Sequence, residues 1–224
     1  MRIRELVSLI RRRRAALSES FDLTGEFERL EESCVPSYIH ANPAASATSW
    51  WRLLSAARLH RRFAAVGPIL DFGAATGELF HNLKVPLVTE YHFVEQNAYL
   101  AESLQAFIPE AVRQKNDESL PKEAYAAVFA LDSLEHNKDI APIIKRLTAA
   151  LAQDGILVVS GPTENWLYRL GRRLAGFSGH YHLQTVYDVE RQVAQLCTPV
   201  ATSYVPMRLM PLFRISVWRK PYLQ

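Results

Sequence analysis

The stretch from residue 69 to residue 79, ILDFGAATGEL, constrains the fold more than any other part of the sequence. An apolar run with strand character leads directly into a turn of very small residues, and Glu78 to Leu83 then predict the start of a helix. Glycines at such a turn let backbone N–H groups approach a ligand, and the start of a helix favours negative charge. The segment therefore predicts a strand–turn–helix unit that binds a ligand where its strand ends.

Further apolar runs alternate with helical stretches along the chain. The predicted strands are residues 68–72, 91–95, 126–131 and 155–160, and the predicted helices between them are residues 78–83, 98–107 and 140–151. Strands that alternate with helices form βαβ units and a largely parallel sheet. Residues 186–197 predict one more helix, and the close runs 200–205 and 212–218 predict a final pair of strands with antiparallel character.

The N-terminal part of the chain lacks this alternation. The residues before position 19 combine apolar side chains with the run Arg11–Arg14, which predicts a short basic helix or a loose arm. Residues 35–48 contain two prolines and predict a loop, and Ser49 predicts the cap of a helix that extends to about Ala65. We therefore expect a helical, basic extension over residues 1–65 and an α/β domain over residues 66–224.

The charge of the chain is unevenly distributed. Its 26 Lys and Arg residues exceed its 23 Asp and Glu residues by only three. Residues 1–65 carry 11 basic and 7 acidic residues (+4), residues 66–160 carry 7 and 13 (−6), and residues 161–224 carry 8 and 3 (+5). The small total disfavours a dedicated nucleic-acid-binding protein. The two basic flanks favour an acidic or membrane-bound partner instead.

The cysteines and the apolar runs predict the compartment. Cys34 and Cys197 have no zinc-site spacing and are too few for a disulfide framework, so we expect free thiols in a reducing environment. The apolar run of residues 6–10 is too short for the core of a signal peptide. No run approaches the roughly 20 apolar residues of a membrane span. These features predict a cytoplasmic protein.

The turn LDFGAATG at residues 70–77 resembles the cofactor-binding turn of class I S-adenosylmethionine-dependent methyltransferases, V-L-D-x-G-C-G-T-G, with Ala74 in place of the cysteine and Ala75 in place of the middle glycine. The later segments LDSLEH at 131–136 and LAQDGILVVS at 151–160 resemble the S-x-L-E-H motif of the small-molecule branch and the family's L-x-x-G-G-x-L-x-V-S segment. The resemblance extends over roughly residues 66–200 and implies a doubly wound, Rossmann-like α/β fold with a seven-stranded, mostly parallel sheet.

The resemblance also implies the cofactor, S-adenosyl-L-methionine, and the residues that bind it. These are Asp71, Gly73, Ala75, Gly77, Glu95, Gln96, Asp117, Glu118 and Asp132. Glu95 corresponds to the acid that accepts hydrogen bonds from both ribose hydroxyls, and Asp117 corresponds to an acid beside the adenine. Plainer roles stay open for all of them: the glycines could merely close a turn, Asp132 could cap a helix, and the other acids could be solvated.

The implied reaction is the direct displacement of a methyl group by an acceptor that the protein holds in line. An oxygen acceptor requires a general base, for which His136, His180 and His182 are candidates, whereas an already nucleophilic acceptor requires none. His136 could instead be a packed or helix-capping residue. No cysteine or acid accompanies His180 and His182 at ligand spacing, so we expect no metal site. The sequence after residue 131 also lacks the Asn/Asp-Pro-Pro-aromatic pattern of DNA methyltransferases, which disfavours nucleic acid.

Residues 161–185 predict an insert beside the acceptor. A helix there would gather Trp166 and Leu170 on one face and carry Arg169, Arg172 and Arg173 off it. Such a helix either contacts an anionic membrane or packs as an ordinary surface helix. Together with the N-terminal extension, it is expected to roof a small-molecule or lipid-linked acceptor that carries sugar or phosphate groups. The alternative is a degenerate family member that serves as a binding or membrane-surface interaction module.

Overall fold

The computed structural model describes residues 3–22, 25, 30, 33–83, 85–174 and 183–221. The strands in these ranges are β1 (Gly67–Phe72), β2 (Val88–Val94), β3 (Val112–Arg113), β4 (Tyr125–Leu131), β5 (Leu151–Pro162), β6 (Thr198–Met207) and β7 (Met210–Arg219). The α-helices are α1 (Ile3–Ser20), α2 (Val35–Tyr38), α3 (Pro43–Phe63), α4 (Ala98–Phe107), α5 (Ala141–Ala150), α6 (Trp166–Leu174) and α7 (Val186–Val193).

The described strands form one seven-stranded sheet in the order β3-β2-β1-β4-β5-β7-β6. The first five strands of the chain pair in parallel, whereas β7 lies antiparallel to both β5 and β6. The predicted seven-stranded, mostly parallel sheet and its antiparallel final pair are therefore confirmed. The strand order reverses between β1 and β4, and such a reversal opens a crevice at the carboxyl ends of the strands.

Successive side chains of each strand point to opposite faces of the sheet, and each face is covered by its own core. On β1, Ile69 belongs to the core on one face and Leu70 to the core on the other. The first core also contains Leu53 of α3 and Leu104 of α4, while the second contains Ile144 of α5 and apolar residues of α7. The N-terminal helices thus share a hydrophobic core with one face of the sheet.

The prediction of a helix that starts at Glu78 is wrong. A series of turns ends instead in a 3-10 helix at Phe80–Asn82. The Nδ2 of Asn82 donates to the carbonyl of Glu78 at 2.8 Å, so a side chain takes the position of the backbone donor that would continue an α-helix. Pro86 follows, lacks an N–H and lies where a longer helix would need one.

The loop predicted over residues 35–48 is also wrong. It contains α2, and α3 begins at Pro43 rather than at Ser49. The Oδ1 of Asn42 accepts from the backbone N–H of Ala44 at 2.9 Å and caps α3. Proline is well suited to the first turn of a helix, because the N–H that it lacks would have no partner there.

The basic N-terminal segment is a helix that packs on the domain. Arg13 of α1 binds the buried Glu78 with two hydrogen bonds, from Nε at 3.0 Å and from Nη2 at 2.7 Å, and its guanidinium lies 4.5 Å from the ring centre of Phe107. Arg14 donates to Ser46 Oγ at 3.0 Å. Two of the four consecutive arginines are therefore engaged within the fold. None of the helices in the described ranges is long and apolar enough to cross a membrane.

Candidate active site

Backbone hydrogen bonds and residues with positive φ define the conformation of the turn after β1. The backbone N–H groups of Gly73 and Ala74 donate to the carbonyl of Val94 at 2.9 and 3.3 Å. Gly73 has a φ of 74° and Gly77 a φ of 77°, values that glycine adopts readily. A Cβ on Gly73 would lie 2.4 Å from the Cβ of Ser133, so the close approach of this turn to the end of β4 requires glycine.

Ala75 occupies the position where the family pattern has its middle glycine, and it adopts a φ of 48°. An L-residue in this left-handed region carries about 1–2 kcal/mol of strain. Its backbone N–H donates to Oε2 of Glu95 at 2.8 Å, which stabilises the strained turn. The replacement therefore keeps the backbone path that a glycine would follow.

Glu95 follows β2 and joins the turn to the start of α4. Its Oε1 accepts from the backbone N–H of Asn97 at 2.8 Å, while Asn97 caps α4 by accepting from the N–H groups of Tyr99 and Leu100. Each carboxylate oxygen has two lone pairs and uses one in these bonds. The carboxylate is thus fixed in place and still has one acceptor position on each oxygen, which suits a diol such as ribose.

Asp132 and Arg52 form a buried ion pair on the opposite side of the turn. Asp132 directly follows β4 with a φ of 49° and contacts the guanidinium of Arg52, and the two side chains are only 7% and 3% exposed. Ser160 Oγ donates to Asp132 at 2.9 Å. Arg52 also donates to Tyr38 Oη at 3.2 Å and to Cys34 Sγ at 3.3 Å. This network connects α2 and α3 to the carboxyl edge of the sheet.

A cavity of about 320 Å³ lies between Glu95 and the Arg52–Asp132 ion pair. Its walls include five of the predicted cofactor-binding residues, Gly73, Ala75, Glu95, Gln96 and Asp132, together with His136. The N-terminal segment contributes Ser33 and Cys34 to the wall, and the segment after β4 contributes Ser133 and Asn137. The volume is at the lower end of the range for small-molecule sites, about 300–1,000 Å³. Its position at the switch point of the sheet is the usual one for ligands of doubly wound folds.

Four predicted cofactor-binding residues are not among the walls of this cavity. Asp71 accepts from Tyr91 Oη at 2.6 Å within the sheet, and burial raises its pKa to about 7. Gly77 faces Ile108 and Leu104. Asp117 binds Nε of Arg146 at 2.6 Å, and Glu118 is exposed beside it. The other two base candidates, His180 and His182, lie outside the described residues.

The segment after β4 forms a 3-10 helix, Leu134–His136, rather than a longer helix that Asp132 could cap. His136 lines the cavity, while its neighbour Glu135 is 1% exposed and has an Oε1 without a hydrogen-bond partner. Burial raises the pKa of Glu135 to about 7. Of the three predicted base candidates, the structure thus brings His136 to the cavity wall.

Arg52 and the Ser33–Cys34 segment were not predicted as site residues. The signal for Arg52 was its position within a helix rich in apolar residues such as Trp50 and Leu53. A charged residue on a buried helix face needs a partner of opposite charge. Ser33–Cys34 had no such signal, since its place in the wall depends on how the N-terminal helices pack.

Comparison with known proteins places this arrangement among characterised folds. The profile of a methyltransferase domain family matches residues 48–199. No curated protein matches the sequence.

Solved structures show the same fold at low sequence identity. The N-methyltransferase NodS from Bradyrhizobium japonicum WM9 in complex with S-adenosyl-L-homocysteine has a TM-score of 0.66 at 16% identity, over 87% of this chain and 96% of that one. Magnesium protoporphyrin IX methyltransferase (ChlM) from Synechocystis PCC 6803, with the same ligand bound, gives 0.60 at 12% identity, over 80% and 89%. An S-adenosylmethionine-dependent methyltransferase from Mesorhizobium loti gives 0.59 at 14% identity, over 77% and 98%.

Proposed function

Because the chain belongs to the S-adenosylmethionine-dependent methyltransferase family, we propose that it methylates a small-molecule or lipid-linked acceptor at the carboxyl edge of its sheet. The observation that carries this proposal is the cavity between Glu95 and the Arg52–Asp132 pair. The Ser33–Cys34 segment lines the same cavity from above the sheet edge. A partly covered cavity of this size suits the cofactor and a small reacting group better than a folded macromolecule.

The residues around the cavity fit the cofactor. Glu95 has one acceptor position left on each oxygen for the two ribose hydroxyls, and Gly73 leaves the turn without a side chain where a Cβ would collide with Ser133. Gln96 extends the wall beside Glu95. When bound, S-adenosylmethionine supplies a methyl group on a sulfonium, which is electrophilic without further activation. The replacement Ala75 keeps the turn in the conformation that this fit requires.

The chain's own residues then orient the acceptor and handle its proton. The Arg52–Asp132 pair is rigid, since both groups are buried and Ser160 fixes the second carboxylate oxygen. Holding two reactants in line supplies much of the rate enhancement in a displacement of this kind. His136 lines the same cavity and is the candidate base for an oxygen acceptor. An acceptor that is already nucleophilic would leave His136 as a wall residue.

The surroundings of the cavity support a lipid-linked acceptor. A lipid-linked acceptor requires contact with a membrane, and exposed apolar and basic side chains of α6 lie at the same sheet edge. Arg13, Arg14 and Arg52 are bound to partners within the fold, so the described part of the N-terminal flank offers less free positive charge than its composition predicts. The rival function is a degenerate member of the family that does not bind the cofactor.

Calorimetry with S-adenosyl-L-homocysteine tests the proposal. We expect the wild type to bind it, and Glu95→Gln to raise the Kd by roughly 10–100-fold, since hydrogen bonds to a charged group contribute about 1.5–3 kcal/mol. Glu90→Gln is the matched control, because Glu90 lies on β2, the strand that Glu95 follows, and has a 60% exposed side chain. Absence of heat with a folded wild type would favour the degenerate binding module. An unchanged Kd in Glu95→Gln would remove Glu95 from the site.

A further inference from the structure

The turn between β6 and β7 exposes large apolar side chains. Leu209 is 90% exposed, and its neighbours Met207 and Met210 are 53% and 52% exposed. Isolated exposed apolar residues are common on protein surfaces, but three in four consecutive positions at a hairpin tip form a patch.

Helix α6 extends this patch. Trp166 is 75% exposed and Leu170 is 45% exposed, and their spacing of four residues puts them on one face of the helix. The start of α6 is fixed to the hairpin, because Asn165 Nδ2 donates to the carbonyl of Pro211 at 2.6 Å and Thr163 N donates to that of Leu212 at 3.0 Å. Trp166 therefore lies next to the hairpin tip. We call the two parts together, residues 165–174 and 207–210, the hairpin–helix surface.

The hairpin–helix surface is strongly basic. It contains Arg169, Arg172, Arg173 and Arg208 and no acidic residue. Arg169 has a 73% exposed side chain and forms an ion pair at 3.8 Å with Glu164, which directly precedes this surface. Apolar side chains within a field of positive charge fit a partner that is apolar inside and anionic at its surface.

The position of this surface relates it to the cavity. Strand β7 is antiparallel to β5 and β6, so β6 ends at the same sheet edge as β1 and β4. The register pairs Pro162, the last residue of β5, with Phe213, and the hairpin continues beyond that point. Its tip thus projects past the edge where Gly73 and Asp132 line the cavity.

We propose that the hairpin–helix surface docks on an anionic lipid bilayer and presents the carboxyl edge of the sheet to acceptors held in that bilayer. The tip is convex, with Leu209 almost fully exposed, and such a shape enters a headgroup layer more readily than it fills a protein pocket. Tryptophan, as at Trp166, is favoured where an apolar region meets a polar one. The docking itself is independent of the cofactor, whereas the delivery of the acceptor rests on the proposed function.

Sedimentation with vesicles tests the docking. We expect the full chain to pellet with vesicles of phosphatidylcholine and phosphatidylglycerol at 70:30, and to pellet at least tenfold less with pure phosphatidylcholine or at high salt. Leu209→Glu and, separately, Trp166→Ser should each reduce pelleting about tenfold. Val66→Glu is the matched control, because Val66 is 60% exposed but precedes β1 at the opposite sheet edge.

The charge contribution is tested in the same assay. Arg169→Gln combined with Arg173→Gln should weaken binding to anionic vesicles, while Arg61→Gln combined with Arg62→Gln, at the end of α3, should not. Failure of the wild type to pellet, or pelleting of Leu209→Glu equal to that of wild type, would overturn the proposal. The proposal would also be overturned if neither protein bound vesicles and light scattering showed that the wild type self-associates while Leu209→Glu does not.

Calorimetry with S-adenosyl-L-homocysteine on the same variants separates this inference from the proposed function. Leu209→Glu should retain the wild-type Kd, since Leu209 is absent from the cavity wall. Loss of vesicle binding with intact S-adenosyl-L-homocysteine binding would show that the surface acts apart from the cofactor site. If the wild type binds vesicles but not S-adenosyl-L-homocysteine, the docking proposal is supported and the proposed methyl transfer is contradicted.

Discussion

Replacing Arg13 with alanine tests how the N-terminal helix stabilises the turn after β1. Arg13 of α1 is 12% exposed and donates two hydrogen bonds to Glu78, which is 1% exposed and directly follows the turn. The substitution removes both bonds and the contact of the guanidinium with Phe107. It leaves a carboxylate that is buried without a charge partner.

Breaking a buried ion pair by removing one partner typically destabilises a protein by about 3–5 kcal/mol. Two relaxations limit the loss here: α1 can detach from the domain, or Glu78 can bind a proton. Burial raises the pKa of Glu78 and Arg13 opposes that rise, so in the variant the folded-state pKa lies still higher. A raised pKa stabilises the folded state at low pH and loses this stabilisation as the pH rises. We therefore expect a loss of about 3 kcal/mol at pH 7 that shrinks towards pH 5.

Urea unfolding at both pH values measures this loss. Arg12→Ala is the matched control, because Arg12 is exposed on the same helix and should change stability by no more than about 0.5 kcal/mol. Adding Glu78→Gln to Arg13→Ala should restore part of the stability, since the buried charge is then absent. The reasoning is refuted if Arg13→Ala is within about 1 kcal/mol of Arg12→Ala at pH 7.

Two further predictions concern the carboxyl edge of the sheet. Gly73→Ala should lower the free energy of unfolding by about 2–4 kcal/mol, since it combines left-handed strain with a Cβ placed 2.4 Å from that of Ser133. Adding Ser133→Gly should recover part of the loss in the same urea assay, and a Gly73→Ala protein as stable as wild type would contradict the geometry of the turn. The pKa of Asp71 is raised by burial to about 7, against the lowering effect of the hydrogen bond from Tyr91. The folded protein thus holds this proton more tightly than the unfolded chain, and the stabilisation that it gives is lost as the pH rises from about 4 through 7. Asp71→Asn should reduce this slope in urea titrations between pH 4 and pH 8, and an unchanged slope would count against a buried neutral Asp71.

The sheet could be predicted from local patterns because its strands are apolar runs that turn residues separate. The runs around Ile69, Val128 and Val158 are buried on both faces, which makes them continuous in the sequence and easy to recognise. The turn at Gly73–Gly77 was recognisable because its φ values require small residues. The turn that lines the cavity could therefore be predicted.

The remaining parts of the site depend on contacts between distant segments. The side chain of Asp117 binds Arg146, 29 residues further along the chain, and its contact with the adenine stays a prediction. The predicted helix after Gly77 is replaced by turns in which Glu78 binds Arg13, a partner 65 residues earlier. Local propensity cannot predict either contact, because Arg146 and Arg13 belong to helices whose positions depend on the whole fold.

The contact between Arg13 and Glu78 has a consequence for the order in which the molecule assembles during synthesis. The two residues are 65 positions apart, so at a translation rate of about 5–20 residues per second Arg13 leaves the ribosome roughly 3–13 s before Glu78 does. During that interval the positive charge of the five arginines of α1 disfavours self-association of this segment. The same guanidinium that neutralises a buried carboxylate in the folded protein thus adds to the charge that favours solubility before α1 docks.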